Sequence, residues 1–385
     1  MTRTPTAVDP DTDYILPTTT NTLGRDNKLR DTEVVPTHQH KISQAKELRK
    51  KEETLRPVSS AHEIHYKMDS GTGHSGESKF VETGHGTFSK GTDVQEFYRD
   101  CNVFITGGTG FMGKLLIEKL LRSCPAIKKI FIIIRPKRGK SPEERKEKLL
   151  QCVIFDSLKA TNPIFHEKLV MVSGDISLPN LGLSTLDYEM LSQQVNIIFH
   201  MAATVKFDEK IKIAVPINII GTMEIINLCR KCVSLKSIVY VSTAYSNCHL
   251  KEIKERFYNP PLDDDEIVKY LTTVDEVIME VIKPKILGGW PNTYTFTKAI
   301  AENILRKTAN DLPISIVRPS QVAGALKEPL IGWIDNIYGP NGAMVGIGAG
   351  LLKTGIRKGN LKSDIIPGDL VINCIIVAAY DVGVR

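Results

Sequence analysis

This chain has no apolar run long enough to span a bilayer. Its first residues, MTRTPTAVDPDTDY, also lack the apolar core of a secretory signal. No transmembrane helix is therefore expected, and the protein reads as intracellular. Aromatics are sparse, at 6%, and no dense Lys/Arg patch interleaves with them. A net charge of +6 over 385 residues is mild, so no nucleic-acid partner is indicated. The seven cysteines form no framework. Cys229 and Cys232 make one C-x-x-C with no second pair at zinc spacing, and they read as ordinary residues following the helical run Met223–Leu228. No metal site is expected. No internal repeat is visible.

What is present suits a globular protein with a sizeable core. The hydrophobic fraction is 42% and the charged fraction 24%. Residues 1–93 differ from the rest. They are polar, Thr-, Lys- and Gly-rich, and poor in apolar periodicity, so they read as a disordered extension. Within them, Lys41–Arg56 has the pattern of a short charged helix with a thin apolar face. His38, His40, His62 and His65 fall here too, with no fold to hold a metal between them. GTGHSGE carries Glu77 where a nucleophile elbow needs glycine.

From Val94 the character changes. NVFITGG, KIFIIIR, LVMVSGDI, NIIFHMAAT, SIVYVSTAY and ISIVRPS are short β-branched runs that end in small or polar residues. Helical patterns lie between them, at KLLIEKLLRSC, Pro142–Cys152, Ile211–Cys229 and Thr295–Ala309. Such alternation predicts an α/β fold with a doubly wound parallel sheet of the Rossmann kind over 94–385. Insertions at about 245–290 and 320–365 are expected to shape a substrate site.

The strand VFI runs directly into Thr106-Gly107-Gly108-Thr109-Gly110-Phe111-Met112-Gly113, which opens a helix. Glycines at this spacing allow a tight turn and a close approach of pyrophosphate to the helix N-terminus. The second strand ends Arg135-Pro136-Lys137-Arg138 rather than in an acid. A cationic cluster there suits a 2′-phosphate, so NADPH is the expected cofactor. Later strand ends should line the same crevice: Asp175 and Ile176, then Ala202, Ala203 and Thr204, then Ser242 and Thr243. His200 reads as a satisfied core histidine.

Tyr294 and Lys298, in WPNTYTFTKAIAE, stand four apart and share one helix face. A nearby ammonium is expected to lower the phenol pKa and ready it for proton exchange. A glycine loop, a strand ending in Ser/Thr and then Y-x-x-x-K is the ordered signature of short-chain dehydrogenase/reductases. The loop-to-Tyr distance suits the extended type. Longer blocks resemble the fatty acyl-CoA reductases. They include VQEFYRDCNVFITGGTGFMGKLLIEKLLRSCP, IIIRPKRGKSPEER, VNIIFHMAATVKFDE, LGGWPNTYTFTKAIAE and KEPLIGWIDNIYGPNGAMVGIGAG, and they span Val94 to about Tyr380 in the style of an insect member.

The resemblance implies reduction of long-chain fatty acyl-CoA to a primary alcohol by two NADPH, through a bound aldehyde. It implies Tyr294 as proton donor and Lys298 as its tuning partner and ribose ligand. Thr243 is the hydroxyl that meets the carbonyl oxygen, with Ser242 as the alternative. Asn218 supports the lysine through its backbone or a water. The runs Pro319–Leu330 and Gly332–Lys353 either wall an acyl tunnel or pack as loops. Location at the cytosolic face of a peroxisomal or reticular membrane follows by resemblance, and a homodimer by superfamily analogy. The family's helical C-terminal part and membrane-associating segment do not appear before Arg385, so a soluble chain is expected. Two alternatives stay open: another extended reductase acting on a sterol, sugar nucleotide or thioester, or an inactive cofactor-binding protein.

Overall fold

The computed structural model describes residues 91–135, 139–263, 265–356 and 358–385. The N-terminal extension with its histidines and charged run lies outside the described residues, as do Lys137 and Arg138. In chain order the elements are α1 (Asp93–Tyr98), β1 (Asn102–Thr106), α2 (Phe111–Ser123), β2 (Lys129–Ile134), α3 (Pro142–Leu150), α4 (Asp156–Thr161), β3 (Leu169–Ser173), α5 (Thr185–Gln194) and β4 (Ile197–His200). Then come α6 (Ile211–Lys231), β5 (Ser237–Val241), α7 (Asp265–Tyr270), α8 (Glu276–Leu287), α9 (Thr293–Thr308) and β6 (Ile314–Val317). The chain continues through β7 (Gln321–Ala323), α10 (Pro340–Gly348), β8 (Ile365–Pro367) and α11 (Gly368–Val384).

Six strands form one parallel sheet in the order β3-β2-β1-β4-β5-β6. Helices cover both faces, which is why the strands read as unbroken apolar runs such as KIFIII. Alternate residues serve opposite layers. Val103 and Ile105 pack with α2 and α11, while Phe104 joins Ile198, Leu191 and Ile225 on the other side. The strand order reverses between β1 and β4, where Thr106 pairs with His200. A crevice opens at the carboxyl ends of these two strands, the usual ligand position in such sheets.

Helix α6 has a break whose form the sequence pattern did not announce. Pro216 lacks an N–H and cannot continue the ladder. The chain answers with a π-turn over Pro216–Ile220, in which Gly221 N–H bonds the Pro216 carbonyl. The turn carries Asn218. Helix α6 is also long and apolar enough to cross a membrane by length and composition alone, a test that the buried core helix of a globular domain passes too. Its apolar stretch is 56% buried in the domain, where Ile211, Val215, Ile219 and Ile226 pack against Phe296, Ile300 and Ile304 of α9.

The two insertions stand apart from the six-stranded sheet. The first holds α7 and α8, and the second holds β7, α10 and β8, with β7 and β8 forming their own parallel pair. The described cysteines are all free. Cys229 lies buried in α6 and Cys232 caps it. Burial pushes Cys232 up to about 12 and Cys229 upward as well, so both stay thiols. Among the described residues no group of three His, Cys, Asp or Glu side chains is placed to hold a metal.

Candidate active site

The crevice is built first by glycines. Gly107 turns with φ of 75°, and a Cβ there would stand 2.9 Å from the Ala202 nitrogen. A Cβ on Gly113 would collide with the Gly107 carbonyl and the Gly108 backbone. Loop, β4 end and helix α2 are therefore packed as closely as backbone allows. Gly110 caps α2 without a side-chain bond, which leaves N–H groups of the first turn for an anion. Phe111 stacks on Trp333 at 5.5 Å, and Met112 leans on the core. The cradle fits a pyrophosphate.

Two arginines meet beside it. Arg145, from α3, donates to Thr109 Oγ1 at 2.7 Å and to the Arg135 carbonyl. Arg135 at the end of β2 pairs with Asp175 at 3.2 Å. Burial and the Arg135 charge both pull the Arg145 pKa down, so an added anion would relieve this crowding. Burial raises the Asp175 carboxyl, but the Ser177 N–H and hydroxyl, with Arg135, outweigh it and hold the pKa below the ordinary value. Ile176 next to it is buried. Sequence reasoning missed Arg145, because PEERKEKLL reads as a solvated charged helix.

Helix α9 begins at Thr293, capped by Asn292 Oδ1 on the Thr295 N–H at 2.9 Å. It brings Tyr294 and Lys298 to the end of β5. The Tyr294 hydroxyl lies beside the Thr243 side chain, and its ring stacks on Phe207 at 6.1 Å. Lys298 is buried and turns the other way, donating to the Val241 carbonyl at 2.9 Å and to Tyr240 Oη at 3.2 Å. The expectation that the lysine lowers the phenol pKa is not met. Burial raises Tyr294 above the ordinary value, and the Thr243 side chain only moderates this. Lys298 itself falls to about 7, because burial penalises the ammonium more than Glu302 favours it.

Ser242 is occupied elsewhere. Its hydroxyl donates to Glu302, which also accepts from Ser246 at 3.0 Å. Arg318 grips the same carboxylate with Nε at 3.0 Å and a second nitrogen at 2.7 Å, then reaches the Lys254 and Arg256 carbonyls. Thr243 is thus the hydroxyl beside Tyr294, and Ser242 belongs to its scaffold. A clue stood in the sequence, since Glu302 follows Lys298 by one helical turn.

Asn218 carries its side chain to both backbone groups of Thr204, at 2.9 and 3.1 Å, and to Thr297 at 3.0 Å. Its carbonyl accepts from Thr222 at 2.8 Å. None of these partners is Lys298. Ala202 and Ala203 line the path from Thr106, whose hydroxyl accepts the Met201 and Ala202 N–H groups at 3.1 Å each. His200 is a satisfied core histidine. Thr106 Oγ1 lies 2.7 Å from Nδ1 and Thr222 Oγ1 lies 3.1 Å from Nε2. Since Thr222 spends its proton on Asn218, Nε2 must donate and Nδ1 must accept. Burial and the Lys298 charge depress His200 to about 3, which keeps it neutral.

The family model described as Male sterility protein, an NAD-binding domain, matches residues 105–375. A Drosophila melanogaster protein named Fatty acyl-CoA reductase wat is 44% identical over 289 residues, 75% of this chain and 56% of that one. Human Fatty acyl-CoA reductase 1 is 42% identical over 292 residues, 76% of this chain and 57% of that one. The chain thus spans a little over half the length of these relatives. Among solved structures, the terminal reductase domain of the myxalamid biosynthetic pathway superposes with a TM-score of 0.53 at 25% identity, covering 72% of this chain and 61% of that one. The reductase domain of a Mycobacterium tuberculosis non-ribosomal peptide synthetase shares the fold, with a TM-score of 0.52 at 23% identity over 76% of this chain and 68% of that one. Glycine cradle, parallel sheet and these matches together mark a nicotinamide-cofactor fold, and the chain belongs to the male-sterility family of NAD-binding domains.

Proposed function

We propose that this chain reduces a long-chain fatty acyl-CoA to the primary alcohol with NADPH, through an aldehyde that stays bound. The observation that carries the reading is the Tyr294–Thr243 hydroxyl pair, set at the end of β5 beside the glycine cradle. The family match and the relatives' names support the substrate class.

Two NADPH bound in turn would each supply one hydride, the first to the thioester carbonyl carbon, whose hemithioacetal then breaks its C–S bond and releases CoA thiolate, and the second to the resulting aldehyde. The chain's residues handle the oxygen. Negative charge grows there, and Tyr294 and Thr243 are paired to hydrogen-bond it. A phenol held above its ordinary pKa keeps its proton at neutral pH, and reduction needs that form, because Tyr294 must donate. Lys298, on the same face of α9, is assigned the nicotinamide ribose and the support of Tyr294. Asn218 fixes Thr204 at the β4 end. Exposed Phe207 over Tyr294, with Ile337, Ile347 and Leu351 in the second insertion, offers apolar surface to an acyl chain.

NADPH is favoured over NADH by Arg145 and Arg135 at the end of β2. Replacing Arg145 by Ala should weaken NADPH about 20-fold, the worth of one charge-assisted hydrogen bond, while NADH changes less than about threefold. Nicotinamide fluorescence titration measures both. Equal losses for the two cofactors would remove the 2′-phosphate assignment.

The reaction is tested by following NADPH consumption and CoA thiol release together with palmitoyl-CoA. Two NADPH per thiol are expected. A ratio of one would show that the aldehyde leaves as product.

A further inference from the structure

The buried ammonium of Lys298 lies between two layers, and its closest side-chain partner is one that no comparison points to. Tyr240, on β5, accepts from Nζ at 3.2 Å, and its ring lies 4.6 Å below the same nitrogen. Tyr240 is itself buried, and its ring lies 5.5 Å from the His200 imidazole of β4. The protons along this chain can be placed without conflict. Lys298 donates to Tyr240. His200 Nε2 donates to Thr222, Thr222 donates to the Asn218 carbonyl, and Thr106 donates to His200 Nδ1. One hydroxyl rotated wrongly would leave a buried donor without an acceptor, so the network is rigid.

The spacing adds a second argument. Tyr240 and Ser242 are two apart on a strand and share a face. Lys298 and Glu302 are four apart on a helix and share a face. Two strand residues advance roughly 6.6 Å and four helical residues roughly 6 Å. The pairs Tyr240–Lys298 and Ser242–Glu302 therefore lock α9 onto the end of β5 in one register.

We propose that Tyr240 is the positioning residue for Lys298, its hydroxyl holding the ammonium at the end of β5 where Tyr294 needs it, with its ring set against His200 at the end of the neighbouring strand. The inference rests on the roles given above to Tyr294 and Lys298. The titratable groups that face Lys298 are His200 from β4, Tyr240 from β5, and Tyr294 and Glu302 from its own helix. Arg318, beyond β6, reaches it only through Glu302. His200 stays neutral and Tyr240 stays protonated, so neither supplies a competing titration near pH 7.

The sign of the pH effect follows. The Tyr240 oxygen stabilises the charged form of Lys298. Without it the lysine sheds its proton at a lower pH, and whatever depends on the ammonium fails sooner as pH rises. Tyr240→Phe in the full chain should move the alkaline limb of both palmitoyl-CoA turnover and NADPH affinity down by about one pH unit. The value of kcat at neutral pH should fall about tenfold, with KM for palmitoyl-CoA within about twofold. Thr222→Val, which keeps the phenol but frees the His200 ring that packs against it, should give a smaller shift in the same direction, and it serves if the first variant folds poorly. Profiles that superimpose on wild type would overturn the proposal even if activity fell, because a purely structural role lowers activity without moving the limb. If the wild type reduced no acyl-CoA, the reaction assigned above would fail, while the pH dependence of NADPH binding would still decide the role of Tyr240.

Discussion

Tyr294→Phe is expected to lower kcat for palmitoyl-CoA about 10³-fold while NADPH affinity stays within about threefold. The substitution removes one oxygen and leaves the ring, so the stacking on Phe207 survives. The fold should survive as well, since Asn292 caps the helix through Thr295 rather than through Tyr294. The loss comes from the proton that Tyr294 delivers and from half of the hydroxyl pair with Thr243. Steady-state turnover and nicotinamide fluorescence on the same preparation separate the two effects. A variant that kept more than about a tenth of wild-type turnover would remove Tyr294 from the chemistry.

A large effect of a different kind is expected at Glu302. Its carboxylate is buried and receives Ser242, Ser246 and two of the three guanidinium nitrogens of Arg318. Arg318 is itself mostly covered, with a side-chain exposure of 16%. Glu302→Ala strands that guanidinium and two hydroxyls at once. Breaking a buried pair by removing one partner costs about 3–5 kcal/mol. The midpoint of urea unfolding, followed by circular dichroism, should fall accordingly. A change below about 0.5 kcal/mol would show that the network does not hold the β5 end. Glu302→Gln should recover part of the loss, since it keeps the shape and still accepts from Ser242.

The parts of this site that could be read from residues alone are those set by backbone repeat. KIFIII and the other β-branched runs had to be buried strands, and the glycines after VFI had to be a tight turn opening a helix. Their order placed the crevice. The hydroxyl at the β5 end remained a choice between Ser242 and Thr243, because strand periodicity separates neighbours onto two faces without saying which face α9 covers. Packing decided it by giving Ser242 to Glu302. The Tyr294–Lys298 spacing gave the right helix face and an incomplete account of the electrostatics. It carried no information on burial, which raises the phenol and depresses the lysine. The π-turn at Pro216 was hidden because a proline inside a helical pattern signals a break but not its form. Arg145 and Tyr240 were hidden for a common reason. Each looks ordinary in its own element, and its partner lies on another.

The central claim is that hydride is delivered twice to one acyl carbon while Tyr294 protonates the oxygen. The most direct measurement supplies the full chain with palmitoyl-CoA and NADPH deuterated at both C4 positions, then identifies the lipid products by mass spectrometry. Hexadecanol with two deuterium atoms at C1 is expected from the wild type, and about 10³-fold less of it from Tyr294→Phe in the same time. NADPH that binds without forming either aldehyde or alcohol would contradict that claim.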